Sequence, residues 1–280
     1  MSSTHVQPAV SLAQLLPTVQ RRLARWIRQG LRRVTILRVA SVIVGFVSTC
    51  AALPAEFDRP WNTPETPFVL DCYHANNIDW DLLAKEPRVV AIIHKATIGS
   101  KRIDPKYHSR WREAKHRGYL WGSYHLGLAG NPERQADYYL RTVKPTANDL
   151  IALDLEDVNS TKYMNATEAI RFIKRVKKRL GRYPVLYVNH AGTRHINHRF
   201  NNTVFTHTPL WYAKFTGTIN DFPRGVWASY TLWQFSSEIL TQQAIPGTEA
   251  DMDVNIFNGS MDDLKAKWPF TRDTLGRFRP

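Results

Sequence analysis

The feature that most constrains the fold is a succession of short apolar runs separated by helix-forming stretches. Eight runs have strand length: "FVLDCY" (68–73), "VVAIIHKAT" (89–97), "YLWGSYHL" (119–126), "LIALDLE" (150–156), "PVLYVN" (184–189), "PLWYAKF" (209–215), "YTLWQFS" (230–236) and "MDVNIF" (252–257). They are rich in β-branched and aromatic residues, which suit a pleated, buried surface. Three helices are predicted between the early runs. One spans 105–117, opening at Pro105 and closing before Gly118; a second spans 132–143, behind Asn131 as cap with Pro132 at its first position. The third spans 166–180, between Asn165 and Gly181, and Ile170, Ile173, Val176 and Leu180 form its apolar stripe. Its Lys/Arg face reads as solvated surface. Strands alternating with helices predict a parallel α/β sheet, and eight of them in order predict closure into a β/α barrel. The connection 216–229 carries no helix signal. The fold class expected is therefore α/β, a modified TIM-like barrel in a single domain, with its helices mainly in the first half.

A barrel of this kind carries its chemistry at the C-terminal ends of its strands. Asp71, Lys95, His125, Asp154, Glu156, Trp233 and Asp253 all fall at or near such ends. The stretch "ALDLED" (152–157) is the most telling. Strand alternation puts Asp154 and Glu156 on one face and Leu153 and Leu155 on the other. Closing the barrel makes the first and eighth strands neighbours, so Asp71 is expected beside Asp253. Four carboxylates then share one rim, which is costly unless they are hydrated, partly protonated, metal-bound or used. Glycoside hydrolysis uses such a set: one acid held protonated, and a second carboxyl to activate water or stabilise positive charge. Crowding by like charge helps an acid keep its proton. Aromatic residues near the rim, Tyr73, Tyr124, Trp211, Tyr212, Trp233 and Phe235, are candidates for stacking on sugars, with core filling as the alternative for each.

Net charge first suggests nucleic acid, and its distribution removes the suggestion. The chain carries +14, yet residues 1–55 hold seven Arg, no Lys and no acid, leaving 31 basic against 24 acidic residues for the remaining length. The domain is mildly basic, so no nucleic-acid partner is expected. Residues 1–33 read as a basic N-terminal extension. Residues 34–55, ending "VASVIVGFVSTCAALPA", read as a signal peptide or signal anchor, which predicts export and confines any membrane contact to that segment. Residues 56–66 form a Pro-rich linker, 67–262 the barrel and 263–280 a short basic tail. Only Cys50 and Cys72 are present, so no disulfide framework is implied.

From residue 68 to about 259 the chain resembles the glycoside hydrolase family 25 lysozymes, the Chalaropsis-type muramidases. The resemblance rests on eight motifs in order: "VLDCYHANNIDW" (69–80), "AIIHKATIGSKRIDP" (91–105), "GYLWGSYHLG" (118–127), "LIALDLED" (150–157), "YPVLYVN" (183–189), "PLWYAKF" (209–215), "LWQFS" (232–236) and "DVNIFNG" (253–259). The resemblance implies a modified β/α barrel that cleaves the β-1,4 bond between N-acetylmuramic acid and N-acetylglucosamine in peptidoglycan glycan strands. Glu156 then matches the proton donor. Asp154 matches its partner, either activating water or orienting the substrate's acetamido group. Asp71 and Asp253 match the acids of the pocket floor. Lys95, Tyr124, Trp233 and Gln234 fall on matched positions and are expected to shape the substrate site, with Tyr73, Trp211 and Tyr212. A departure is "CYHANN" after the first acid, where Tyr73, His74 and Asn77 alter the usual opening. A monomer is expected, with no cofactor and no metal. Two other readings stay open: a non-catalytic glycan-binding protein, and a metal-dependent phosphodiesterase using His74, His94 and His125 as additional ligands.

Overall fold

A computed structural model describes residues 64–237, 245–248 and 252–271. The extension and signal segment expected over residues 1–55 lie outside the described residues, as does most of the linker. Among the described residues no helix is long and apolar enough to cross a membrane.

Among the described residues nine strands and six α-helices follow one another: β1 (Phe68–Cys72), α1 (Trp80–Leu83), β2 (Val89–Ile98), β3 (Arg102–Ile103), α2 (Tyr107–His116), β4 (Leu120–Leu126), α3 (Pro132–Val143), β5 (Leu150–Leu155), α4 (Ala166–Leu180), β6 (Val185–Asn189), α5 (His190–Arg199), β7 (Leu210–Ala213), β8 (Leu232–Ser237), β9 (Asp253–Phe257) and α6 (Met261–Lys267). The sheet order is β1-β9-β8-β7-β6-β5-β4-β2, and β1 also pairs with β2, so eight strands close on themselves. Short β3 folds back on the end of β2 and stands outside the ring. This is the expected eight-stranded barrel with one difference. β9 runs antiparallel to both of its neighbours, β1 and β8. No helix lies between β8 and β9 in sequence order among the described residues, and an antiparallel neighbour needs no crossover helix.

The helices form where local chemistry starts and stops them. Asn165 caps α4 in a reciprocal capping box with Glu168, and Gly181 ends it at φ 72°, a left-handed conformation that favours glycine. Both α3 and α4 keep their expected bounds. α5 was not expected: "HAGTRHINHR" lacks an apolar stripe, and its start rests on the Asn189 side chain accepting from Gly192 N–H at 2.8 Å. The segment 216–229 is without helix, as its sequence suggested.

Strand residues divide between two cores. Those facing outward, such as Leu70, Leu153, Leu155, Leu186, Val188 and Phe235, belong to one outer core that also holds Tyr139, Phe172, Ile173 and Val176 of α3 and α4. Those facing inward, including Val69, Ala91, Leu150, Val185, Leu232 and Phe257, fill the barrel from its lower end. Packing continues past residue 262, where the tail was expected to begin. Leu264, Trp268 and Phe270 are buried against this inner set, with the Phe270 and Phe257 rings stacked 5.3 Å apart. The Trp268 indole donates to the Asn148 carbonyl at 3.1 Å, fastening the plug to the bottom of β5.

Candidate active site

Above the inner core, the same inward phase of each strand delivers polar groups to the rim. On β1 Asp71 follows Val69; on β5 Asp154 follows Leu150 and Ala152; on β8 Gln234 follows Leu232. Glu156 continues the phase of Asp154 just beyond the end of β5. Asp253 arrives differently. It is the first residue of β9, not one near its end, and antiparallel pairing sets it directly opposite Asp71. The expected pairing of Asp71 and Asp253 therefore holds, with the reverse strand direction.

The hydrogen bonds of Asp71 are specific. Its Oδ1 accepts from Gln234 Nε2 at 2.9 Å and from Asn255 Nδ2 at 2.8 Å. Asn255 Nδ2 also donates to the Val69 carbonyl at 2.8 Å, and Asn255 Oδ1 accepts from the Trp211 indole at 2.6 Å. Gln234 Oε1 accepts from the Tyr187 hydroxyl at 2.9 Å. Tyr124 and Tyr187 flank the Trp211 ring edge to face, at 6.2 and 5.0 Å between centroids.

Both tyrosines register the acids electrostatically. Burial pushes the Tyr187 hydroxyl well above its ordinary pKa, and the charges of Glu156, Asp154, Asp71 and Asp253 push in the same direction. Burial likewise raises Tyr124, reinforced by Asp71, Asp154, Cys72 and Asp253. The rim thus gathers four carboxylates around two neutral phenols that can donate hydrogen bonds throughout the physiological range. Lys95 stands nearby, its Nζ 4.2 Å from the Tyr73 ring centre and 5.8 Å from that of Tyr124. Such a site offers acids, anions, fixed donors and one cation, the components of acid/base chemistry on a polyhydroxylated substrate.

The structure brings together Asp71, Asp154, Glu156, Asp253, Tyr73, Lys95, Tyr124 and Gln234. It treats three expected sugar-contacting residues otherwise. Trp211 points inward but one layer below the rim, 1% exposed and enclosed by Tyr124, Tyr187 and Asn255, so it has no face to offer a sugar. Tyr212 and Trp233 take the opposite strand phase and lie in the outer core. The Tyr212 hydroxyl shares a 2.6 Å hydrogen bond with His190 Nδ1, and the Trp233 indole donates to the Lys214 carbonyl. Phe235 shares that outer phase.

The histidines considered as metal ligands are engaged elsewhere. His94 bonds the Lys95 carbonyl and Arg110, His125 bonds Thr97 and Gln135, and His74 Nδ1 lies 2.9 Å from the buried Asp104 carboxylate. Sequence reasoning missed Tyr187 and Asn255. Each sits in the inward phase of its strand, two residues from a residue already known to face inward, and that phase was the signal available. A separate cavity of about 350 Å³, lined by Asn77, Ile78, Trp80, Lys106, Ser109, Arg110 and Glu113, includes none of the acids of the rim.

Comparison with known proteins agrees with this fold. The profile of Glycosyl hydrolases family 25 matches residues 70–244. Protein YegX of Escherichia coli O6:H1 is 28% identical over 204 residues, covering 67% of this chain and 68% of its own. Lysozyme M1 of Streptomyces globisporus is 25% identical over 203 residues, 68% of this chain and 67% of its own. The crystal structure of the lysozyme from Streptomyces coelicolor superposes with a TM-score of 0.61 at 24% identity, covering 72% of this chain and 96% of that one. With its profile matched across more than half of the sequence and its barrel shared with a family of lysozymes, the chain belongs to glycosyl hydrolases family 25 and is a glycosidase.

Proposed function

We propose that the chain is a peptidoglycan hydrolase that cleaves the β-1,4 bond between N-acetylmuramic acid and N-acetylglucosamine. The observation that carries the reading is the placement of four acids at one rim: Asp71 directly opposite Asp253, Asp154 paired in register with Tyr187, and Glu156 just beyond Asp154 on the same face. Similarity to Lysozyme M1 supplies the substrate class. Glu156, beyond the end of β5 and more exposed than Asp154, reaches furthest toward an incoming glycan and donates the proton to the leaving oxygen. Asp154 sits two residues behind it, on the same face, and activates water or orients the acetamido group. Asp71 and Asp253 supply negative charge at the pocket floor, where an oxocarbenium-like transition state is positive. Tyr73 and Lys95 line the entrance and, with the buried Tyr124 behind them, shape the sugar site. The enzyme acts as a monomer and is exported, through residues 34–55 as signal or anchor.

The test is release of reducing ends from purified peptidoglycan, with mass spectrometry identifying the new reducing sugar. N-acetylmuramic acid is the expected new end. Glu156→Gln is expected to lower kcat by about 10²–10⁴-fold, the usual worth of a positioned general acid. Unchanged hydrolysis by that variant would remove Glu156 from its role. Binding without hydrolysis by the wild type would point instead to a glycan-binding protein.

A further inference from the structure

Two side-chain amides meet on one oxygen of Asp71, and one of them, Asn255, is oriented from its far end. An indole nitrogen can only donate, so Asn255 must present Oδ1 to Trp211. The Val69 carbonyl can only accept, which turns Nδ2 of the same amide toward Val69 and Asp71. On the other side Gln234 Nε2 donates to the same oxygen while its Oε1 accepts from the Tyr187 hydroxyl, a group able to donate or accept, so Gln234 follows the charge of Asp71 and Asn255 sets it. Asn255 is fully buried, and Gln234 and Trp211 nearly so, at 0%, 3% and 1% exposure, so no water is needed to explain either orientation. Two N–H donors on Oδ1 favour the ionised carboxyl, against the like charges of Asp253 directly opposite and of Asp154 and Glu156 at the same rim, and the Asn255 donor cannot turn away without leaving buried groups unpaired.

We infer that Asn255, oriented by Trp211 and the Val69 carbonyl, and with it Gln234, are positioning residues that keep Asp71 ionised at the working pH, so that Asp71 contributes charge to the reaction and exchanges no proton. Trp211 is then the anchor of the arrangement and not a sugar platform. The part of this inference that concerns catalysis rests on the proposed function; the part that concerns the charge of Asp71 does not. A fixed anion at that place stabilises positive charge developing on a sugar ring, and leaves proton transfer to other carboxyls of the rim.

Two measurements on the full chain test this. The first follows the ¹³C carboxyl resonance of Asp71 with pH and needs no substrate. In the wild type it is expected to stay at its ionised position down to about pH 4, where an ordinary aspartate is half protonated. In Asn255→Asp the N–H donor becomes an oxygen, two carboxyls must share a proton, and a titration step is expected about one unit or more higher. The second follows kcat/KM on peptidoglycan. The acidic limb is expected to rise by a similar amount in Asn255→Asp and by less in Trp211→Phe, which frees the amide to turn, with KM little changed. If Asn255→Asp does not fold, Gln234→Glu puts the same question to the other donor.

A wild-type Asp71 that titrates at or above the ordinary aspartate value overturns the inference, and so does an acidic limb that is identical in the wild type and the variants. An ionised Asp71 in a protein that cleaves no peptidoglycan would leave the inference standing and overturn the proposed function.

Discussion

Acid is expected to weaken this fold well above the range in which its carboxylates titrate, because of two buried histidines. His94 and His125 lie in the outer core, and burial lowers each to a pKa of about 4. In the unfolded chain each returns to about 6.5. At pH 7 the folded residue is neutral and the unfolded one mostly so. As the pH falls below about 6.5 the unfolded chain takes up protons that the folded one refuses, so stability is lost from there down to about pH 4. Between pH 7 and pH 5 the linkage relation gives a loss of about 2 kcal/mol for each residue, and so roughly 3–4 kcal/mol for the pair. His190 and His195, also lowered by burial, act in the same direction and are more exposed, so they add less. The ion-paired carboxylates Glu133 and Asp137 are held low by Arg171 and Arg175, and their contribution is lost only below about pH 4, outside this window. Urea unfolding followed by tryptophan fluorescence at the two pH values measures the difference. His125→Gln, which keeps an amide for Gln135 and removes the titration, should cut the loss to roughly half. A wild type that loses less than about 1 kcal/mol, or a variant that keeps the whole loss, would refute the argument.

Two further outcomes concern packing and capping. Phe270→Ala removes the ring stacked on Phe257 at the barrel floor and should cost about 3–5 kcal/mol, read as a fall in the urea midpoint with an unchanged slope. Asn165→Ala dissolves the capping box of α4 and should cost about 1 kcal/mol, whereas Asn165→Asp should be nearly neutral, both measured by thermal unfolding.

Much of the architecture was legible because the decisive signals are local. Pro132 and Asn165 start helices, Gly181 stops one, and apolar runs of strand length lie between them. The direction of β9 was not legible: alternation of side chains reads the same in both directions along a strand, so "DVNIF" shows which residues share a face but not which end meets the rim. The same limit applied to the aromatic residues. Proximity to a strand end suggested that Trp211, Tyr212 and Trp233 face a sugar, yet facing inward and lying at the rim are separate conditions. Trp211 meets the first and not the second, while the other two have the wrong phase. Tyr187 and Asn255 were overlooked because neither is a charged residue, although both stand in phase with inward neighbours. α5 was hidden because its stability comes from Asn189 and from packing of Ile196, not from periodicity.

The five residues of β9 link the two ends of the barrel. Asp253 stands at the rim, Asn255 holds Asp71 one layer below, and Phe257 meets Phe270 at the floor. A slip of one residue in pairing would turn all three outward together and bring Val254 and Ile256 in. The acid, the amide and the floor aromatic therefore check one another. Docking of the plug on Phe257 and placement of Asp253 depend on one and the same strand register.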